Sequence, residues 1–173
     1  DGLNARLKDC EPVLVILDPK KSELALVTDT ETLIANDDFL SDLEAYNNIY
    51  ITSTTSADMA MYQYTSGTSR ELPEAVKHRH RAVVTVMIAA LYATGVRPGD
   101  KYMCPSSPAW GHGLWHGTLA PLALGIEIST YAGKFDPEKL LAAMEKFKIT
   151  NLSAAATHYR LMRNISHPKK HSL

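Results

Sequence analysis

The sequence predicts an α/β fold, a layered and largely parallel sheet flanked by helices. Three observations carry this expectation. Short β-branched apolar runs of strand length alternate with longer segments of helical period. Two helix starts carry side-chain caps, at Asn36 and at Asp136–Pro137. The order strand, helix, strand repeats along the chain, as βαβ connections require.

Taken in order, Val13–Leu17 reads as a buried strand ended by Asp18 and Pro19, and Leu24–Val27 as a second. Asn36 caps a predicted helix over residues 37–46, with Phe39, Leu40 and Leu43 on one face. Ile49–Ile51 reads as another strand, followed by a polar Thr/Ser linker over residues 52–56. Met59–Tyr64 then leads into a hydroxyl-rich loop. Residues 79–94 are apolar nearly all round and stop at Gly95 with Pro98 beyond, which predicts a helix central to the core. Tyr102–Cys104 reads as a strand, Trp115–Leu124 as a helix interrupted by Pro121 or beginning near it, and Ile126–Tyr131 as a strand. Asp136 and Pro137 open the next helix, where Phe135 and Leu140 have the spacing of a hydrophobic staple. Leu140, Leu141, Met144 and Phe147 form its apolar face. Ile149–Leu152 follows as a strand and Thr157–Asn164 as a short helix. One domain is expected over residues 1–166, with 167–173 a mobile basic tail.

At 173 residues such a domain buries roughly 70% of the surface its unfolded chain exposes. With 18 basic and 19 acidic side chains there is no general electrostatic reason to bind nucleic acid or an anionic membrane. Cys10 and Cys104 stand in no metal-ligand spacing and suggest no disulfide scaffold, so a reducing cytoplasm is expected. The longest apolar stretch, Ala82–Tyr92, is shorter than the roughly 20 residues that span a bilayer, and no signal peptide is read.

The run YTSGTS, from Tyr64 to Ser69, is the most informative stretch. Small side chains admit a polyphosphate, and hydroxyls or backbone N–H groups bond its oxygens. Thr65, Ser66, Gly67, Thr68 and Ser69 are therefore the candidate phosphate site. An ordinary polar turn would carry the same residue types. A Walker loop is excluded because no Gly-Lys-Ser/Thr sequence occurs. His78 and His80 flank Arg79 in a basic cluster, which reads equally as phosphate-assisting or as a solvated helix start. Trp110, Gly111, His112 and Gly113 read either as the wall of a ligand pocket or as a core tryptophan at a Gly-rich turn. His112 and His116 are four apart, but Gly111 and Gly113 weaken that helix and no acidic residue is suitably placed, so no metal site is expected.

These blocks together resemble the AMP-forming acyl-CoA synthetases of the adenylate-forming superfamily, over residues 13–164. Thr65–Ser69 match the family's phosphate loop, Pro73 and Val76 the element after it, and His80 the following histidine. SPAWGHGLWHGTLAPLALG, from Ser107 to Gly125, is similar to the acyl-pocket segment, and residues 133–164 to the helix, strand and Thr-x-Tyr-Arg turn that follow, with Thr157, Tyr159 and Arg160 in place. The resemblance implies a partial N-terminal domain of an adenylate-forming enzyme, with ATP, Mg2+ and coenzyme A as substrates or cofactor and a carboxylic acid as the group activated. The adenine and ribose elements and the catalytic lysine would lie beyond Leu173, so the chain reads as a fragment. It is expected to be inactive alone, to partner the remainder of its polypeptide, and to self-associate through uncovered apolar surface. The alternative is a non-catalytic nucleotide- or acyl-binding module. Arg70, Glu74 and Ala75 depart from the family's Gly, Lys and Gly, one residue is inserted before Pro73, and Ala156 replaces a proline. An acidic Glu74 cannot supply the lysine's attraction for phosphate.

Overall fold

The computed structural model describes residues 2–23, 29–64, 75–165 and 172. The chain divides into two compact units, Asp1–His80 and Arg81–Leu173.

The first unit opens with helix α1 (Gly2–Cys10), which lacks an acidic first turn and was not expected from the sequence. Strand β1 (Leu14–Leu17) forms where predicted and pairs in parallel with β2 (Glu31–Ile34), in the register Leu14 opposite Glu31. It is not the buried strand expected: Ile16 is 55% exposed, and Val13 just before the strand 93%. The expected strand Leu24–Val27 lies outside the described residues. Helix α2 (Asp37–Glu44) starts where its cap requires: the Asn36 Oδ1 accepts the Phe39 N–H at 2.9 Å. Ile49–Ile51 is not a strand. No partner pairs with it among the described residues, and Tyr50 and Ile51 are about nine-tenths exposed, at 88% and 91%. Strand β3 (Met59–Tyr64) pairs with β4 (Ala75–Arg79) in an antiparallel ladder, with a register shift between Met59 and Met61. The expected largely parallel arrangement therefore describes the other ladders and not this one.

In the second unit, helix α3 (Ala82–Ala89) continues into a π-helical turn, Ala90–Thr94, and stops at Gly95, whose φ of 73° is the left-handed conformation glycine adopts without strain. It begins three residues later than the sequence suggests because Arg79 is held in the β3–β4 ladder opposite Met59. Nor is it the centre of the core. Ala90 is buried and Val86 packs against the core, whereas Val84 and Ile88 are more than half exposed.

Strands β5 (Lys101–Cys104), β6 (Glu127–Thr130) and β7 (Asn151–Leu152) form a parallel sheet in the order β6, β5, β7. Between β5 and β6 a loop over residues 105–110 leads into one continuous helical stretch, π-helical over His112–Leu119 and α-helical in α4 (Ala120–Ala123). Pro121 does not interrupt this helix. The Ala120 N–H reaches back to the Trp115 carbonyl, five residues away, and the proline falls in the first turn of α4, where its missing N–H is tolerated. Tyr102, Cys104, Ala120, Ile126, Val96 and Ala90 form the core on this side of the sheet.

Helix α5 (Pro137–Phe147) connects β6 to β7, its Lys139 N–H bound at 3.1 Å by the predicted cap, Asp136. Leu140 and Leu141 are buried as expected, but Phe147 at the end of that stripe is exposed. Helix α6 (Ala156–Arg163) packs with α5. The two connections leave β5 and β6 in opposite directions across the sheet, and right-handed crossovers then place their helices on opposite faces. This is the layered α/β architecture the sequence predicts.

Candidate functional site

The candidate phosphate residues Thr65, Ser66, Gly67, Thr68 and Ser69 lie outside the described residues, as do Arg70, Pro73 and Glu74. Their anchors are described. Tyr64, the last residue of β3, is the ladder partner of Ala75, the first of β4, so both ends of the intervening segment are fixed side by side. The Tyr64 hydroxyl donates to the Asp9 carboxylate at 2.5 Å, which ties α1 to the base of the loop. Desolvation and then this carboxylate hold the Tyr64 phenol well above its ordinary pKa.

His80 is exposed at the other end of β4. Five strand residues separate it from the loop's attachment at Ala75, about 16 Å of rise. Its N–H donates to the Asp58 carbonyl at 3.1 Å, and Arg79 donates to the Ala57 carbonyl. The Asp58 carboxylate accepts from the Thr55 N–H at 2.6 Å and is held below the usual carboxylate range, first by that bond and more weakly by the charges of His80 and Arg79. The described backbone bond of His80 is thus to the turn at Asp58, while the loop it was expected to assist lies outside the described residues.

The second cluster forms where β5 and β7 end. Adjacent parallel strands whose chains leave toward opposite faces open a crevice at their carboxyl ends, the usual position of a ligand in such sheets. His112, on the π-helical segment, lies between these two strand ends. Its Nδ1 is 3.0 Å from the Ser106 Oγ, in the loop after β5, and its Nε2 is 3.1 Å from the Ser153 Oγ, in the loop after β7. The buried Cys104 Sγ lies 3.8 Å from Nδ1. Burial, and then the nearby His116 and His158, depress the His112 pKa below its ordinary value. Tyr102 is fully buried at the same strand end; burial pushes its phenol up to about 12, against a smaller opposite pull from the Ser153 hydroxyl.

The glycines here serve packing. A Cβ on Gly113 would lie 2.2 Å from the Ser107 carbonyl oxygen and 2.4 Å from that of Ser106, and one on Gly117 would lie 2.8 Å from the Cβ and Sγ of Cys104. Both glycines let the helix lie directly on β5 and its loop. Of the sequence-identified pocket residues, His112 and Gly113 are therefore at the crevice, and Gly111 immediately precedes the helix. Trp110 is 65% exposed, so it is not a core tryptophan. His112 and His116 have ring centroids 6.0 Å apart. No group of three His, Cys, Asp or Glu side chains gathers among the described residues. Sequence reasoning did not find Ser106 and Ser153; the signal available was their position just beyond two strand ends.

Comparison with known proteins agrees with this architecture. The chain is 32% identical over 136 residues to an uncharacterized acyl-CoA ligase of Bacillus subtilis, which covers 78% of this chain and 26% of that protein. It is 30% identical over 103 residues to a 3-hydroxybenzoate/4-hydroxybenzoate-CoA ligase of Thauera aromatica, covering 60% of this chain and 20% of the other. It thus spans about a quarter or less of the length of these relatives. An acyl-CoA synthetase of Brucella canis superposes with a TM-score of 0.80 at 25% identity, over 93% of this chain and 32% of that one. The fold is shared at lower identity, 16%, with an anthranilate-CoA ligase bound to anthranoyl-AMP, with a TM-score of 0.87 over 99% of this chain and 36% of that one. A family model described as AMP-binding enzyme matches residues 1–173, and the chain belongs to that family.

Proposed function

We propose that this chain is part of an acyl-CoA synthetase, in which a carboxylate attacks the α-phosphate of MgATP, pyrophosphate leaves, and a CoA thiol displaces AMP from the acyl-adenylate. The observation that carries this reading is the match of the AMP-binding enzyme family model over residues 1–173, in a chain whose His112 is set between the carboxyl ends of β5 and β7. Catalysis of such transfers is mostly positioning and stabilisation of charge on phosphate oxygens. In this reading Thr65, Ser66, Gly67, Thr68 and Ser69 hold the phosphates, Mg2+ arrives with ATP, and Trp110–Gly113 border the acyl group. A short-chain, medium-chain or aromatic monocarboxylic acid is the proposed substrate class, supported by the hydroxybenzoate ligase among the relatives. The 173-residue chain alone is proposed to be inactive.

The test is carboxylate-dependent ATP–pyrophosphate exchange, run on the 173-residue chain and on the complete polypeptide of its parent gene with a panel of short, medium and aromatic acids. Exchange by the complete polypeptide supports the ligase reading. Its absence with every acid would favour a non-catalytic nucleotide- or acyl-binding module. Exchange by the 173-residue chain above a no-carboxylate control would overturn the proposed inactivity.

A further inference from the structure

The bonds around His112 join two segments that are remote in sequence. The loop after β5 and the loop after β7 diverge to opposite faces of the sheet once the ladder ends, at the bond from the Ser153 N–H to the Met103 carbonyl at 3.0 Å. Beyond that bond the β7 loop turns into α6, its Ala155 N–H taken by His158 Nδ1 within the same helix start. The β5 loop turns into its own helix, with the Trp110 N–H on the Ser107 carbonyl at 3.0 Å. The imidazole reaches across this divergence, 3.0 Å from one serine and 3.1 Å from the other.

We infer that Ser106 and Ser153 are positioning residues, which act through His112 to hold the β5 and β7 loops at a fixed separation across the crevice. The stoichiometry of the bonds suits that role. A neutral imidazole has one donor and one acceptor nitrogen, and a serine hydroxyl can serve either, so all three groups are satisfied together without a charge. The ring is also held from behind. Gly113, the next residue, packs against the Ser106 and Ser107 carbonyls so closely that no Cβ fits between them. His112 therefore cannot withdraw without moving the loop that carries Ser106. On the acyl-pocket reading proposed above, this separation sets the width of acyl group the crevice admits; the latch itself is independent of that reading.

The test is amide hydrogen exchange on the 173-residue chain, which needs no ligand, so its outcome is separable from that of the ligase reading. Removal of one net hydrogen bond corresponds to roughly fivefold in a local opening equilibrium. Ser153→Ala is expected to raise exchange about that much at residues 106–110 as well as at 153–157. Ser153→Thr, which keeps the hydroxyl, is expected to restore both. In the double variant Ser106→Ala/Ser153→Ala, exchange at 106–110 is expected to match that of Ser106→Ala alone, because the latch breaks as a unit. Effects confined to residues 153–157, or effects that multiply in the double variant, would overturn the latch. Should the alanine variants fail to fold, the unmodified chain still decides the matter. A solvent-protected ring N–H resonance of His112 near neutral pH is expected, and its absence refutes the bridge.

Discussion

Substitution of Gly113 by alanine sets two physical effects in direct opposition. Glycine within a helix is about 1 kcal/mol less favourable than alanine, so from propensity alone Gly113→Ala should stabilise the segment by about that amount. The structure reverses the sign. The new Cβ would lie 2.2 Å from the Ser107 carbonyl oxygen, 2.4 Å from the Ser106 oxygen and 2.5 Å from the Ser107 carbonyl carbon. All three are backbone atoms, so no side-chain rotation relieves the overlap, and the loop must move by about 1 Å to reach ordinary van der Waals distance. Overpacking of this kind typically costs about 1–3 kcal/mol and sometimes more. With the upper end of that range set against the propensity gain, Gly113→Ala should be destabilising by about 2 kcal/mol. For a chain of this size that lowers Tm by about 4–8 °C. Thermal unfolding followed by far-ultraviolet circular dichroism reads the shift. An unchanged or higher Tm would refute the claim that Gly113 is there to admit the Ser106–Ser107 backbone.

Two further outcomes follow from caps and charge. Asp136→Ala removes the acceptor of the Lys139 N–H and should cost about 1 kcal/mol, read as a lower denaturant midpoint, with Asp136→Asn recovering most of it. The depressed pKa of His112 gives a pH dependence of definite sign. The folded chain binds this proton less readily than the unfolded chain, so its contribution is intact above the ordinary imidazole value of about 6.5 and is lost as pH falls from there toward the folded value. The groups that set the shift are His116 on the same helix and His158 on α6, with burial the larger cause. Urea midpoints at stepped pH values below 7 should decline, and His112→Gln should flatten that decline; an equal slope in the variant would show that other groups produce it.

What could be read from the sequence was what local chemistry dictates. Asn36 and Asp136 place helix starts to the residue because a cap bonds a backbone N–H only three positions away. Gly95 ends its helix for an equally local reason. The misses are long-range. Strand β4, Ala-Val-Lys-His-Arg, has neither alternation nor β-branched density, and it exists because β3 offers it a ladder. Val84 and Ile88 make α3 look like a buried helix, since an apolar side chain does not encode which of its faces will be covered. HGLWHGTL reads as a poor helix, yet its glycines are what allow it to lie on Cys104 and the Ser106–Ser107 turn. For the site, His112 was legible as a residue of interest, but its partners were not. Ser106 and Ser153 meet the ring only because β7 pairs with β5, a contact no local pattern reports.

The pairing of Tyr64 with Ala75 bears on how the hydroxyl-rich segment between them can vary. Residues 65–74 are ten in number, and the ladder has already brought their two ends together. Closure entropy grows only as the logarithm of length, so one residue added to ten raises that cost by about 0.1 kcal/mol. The extra residue before Pro73, relative to the pattern this chain resembles, is therefore almost silent energetically. The glutamate at position 74, where the pattern has lysine, is different, because it reverses a charge within the segment proposed to hold phosphate. In this family an alignment that penalises gaps at the loop more than it penalises charge reversals would weigh the two kinds of change in the wrong order.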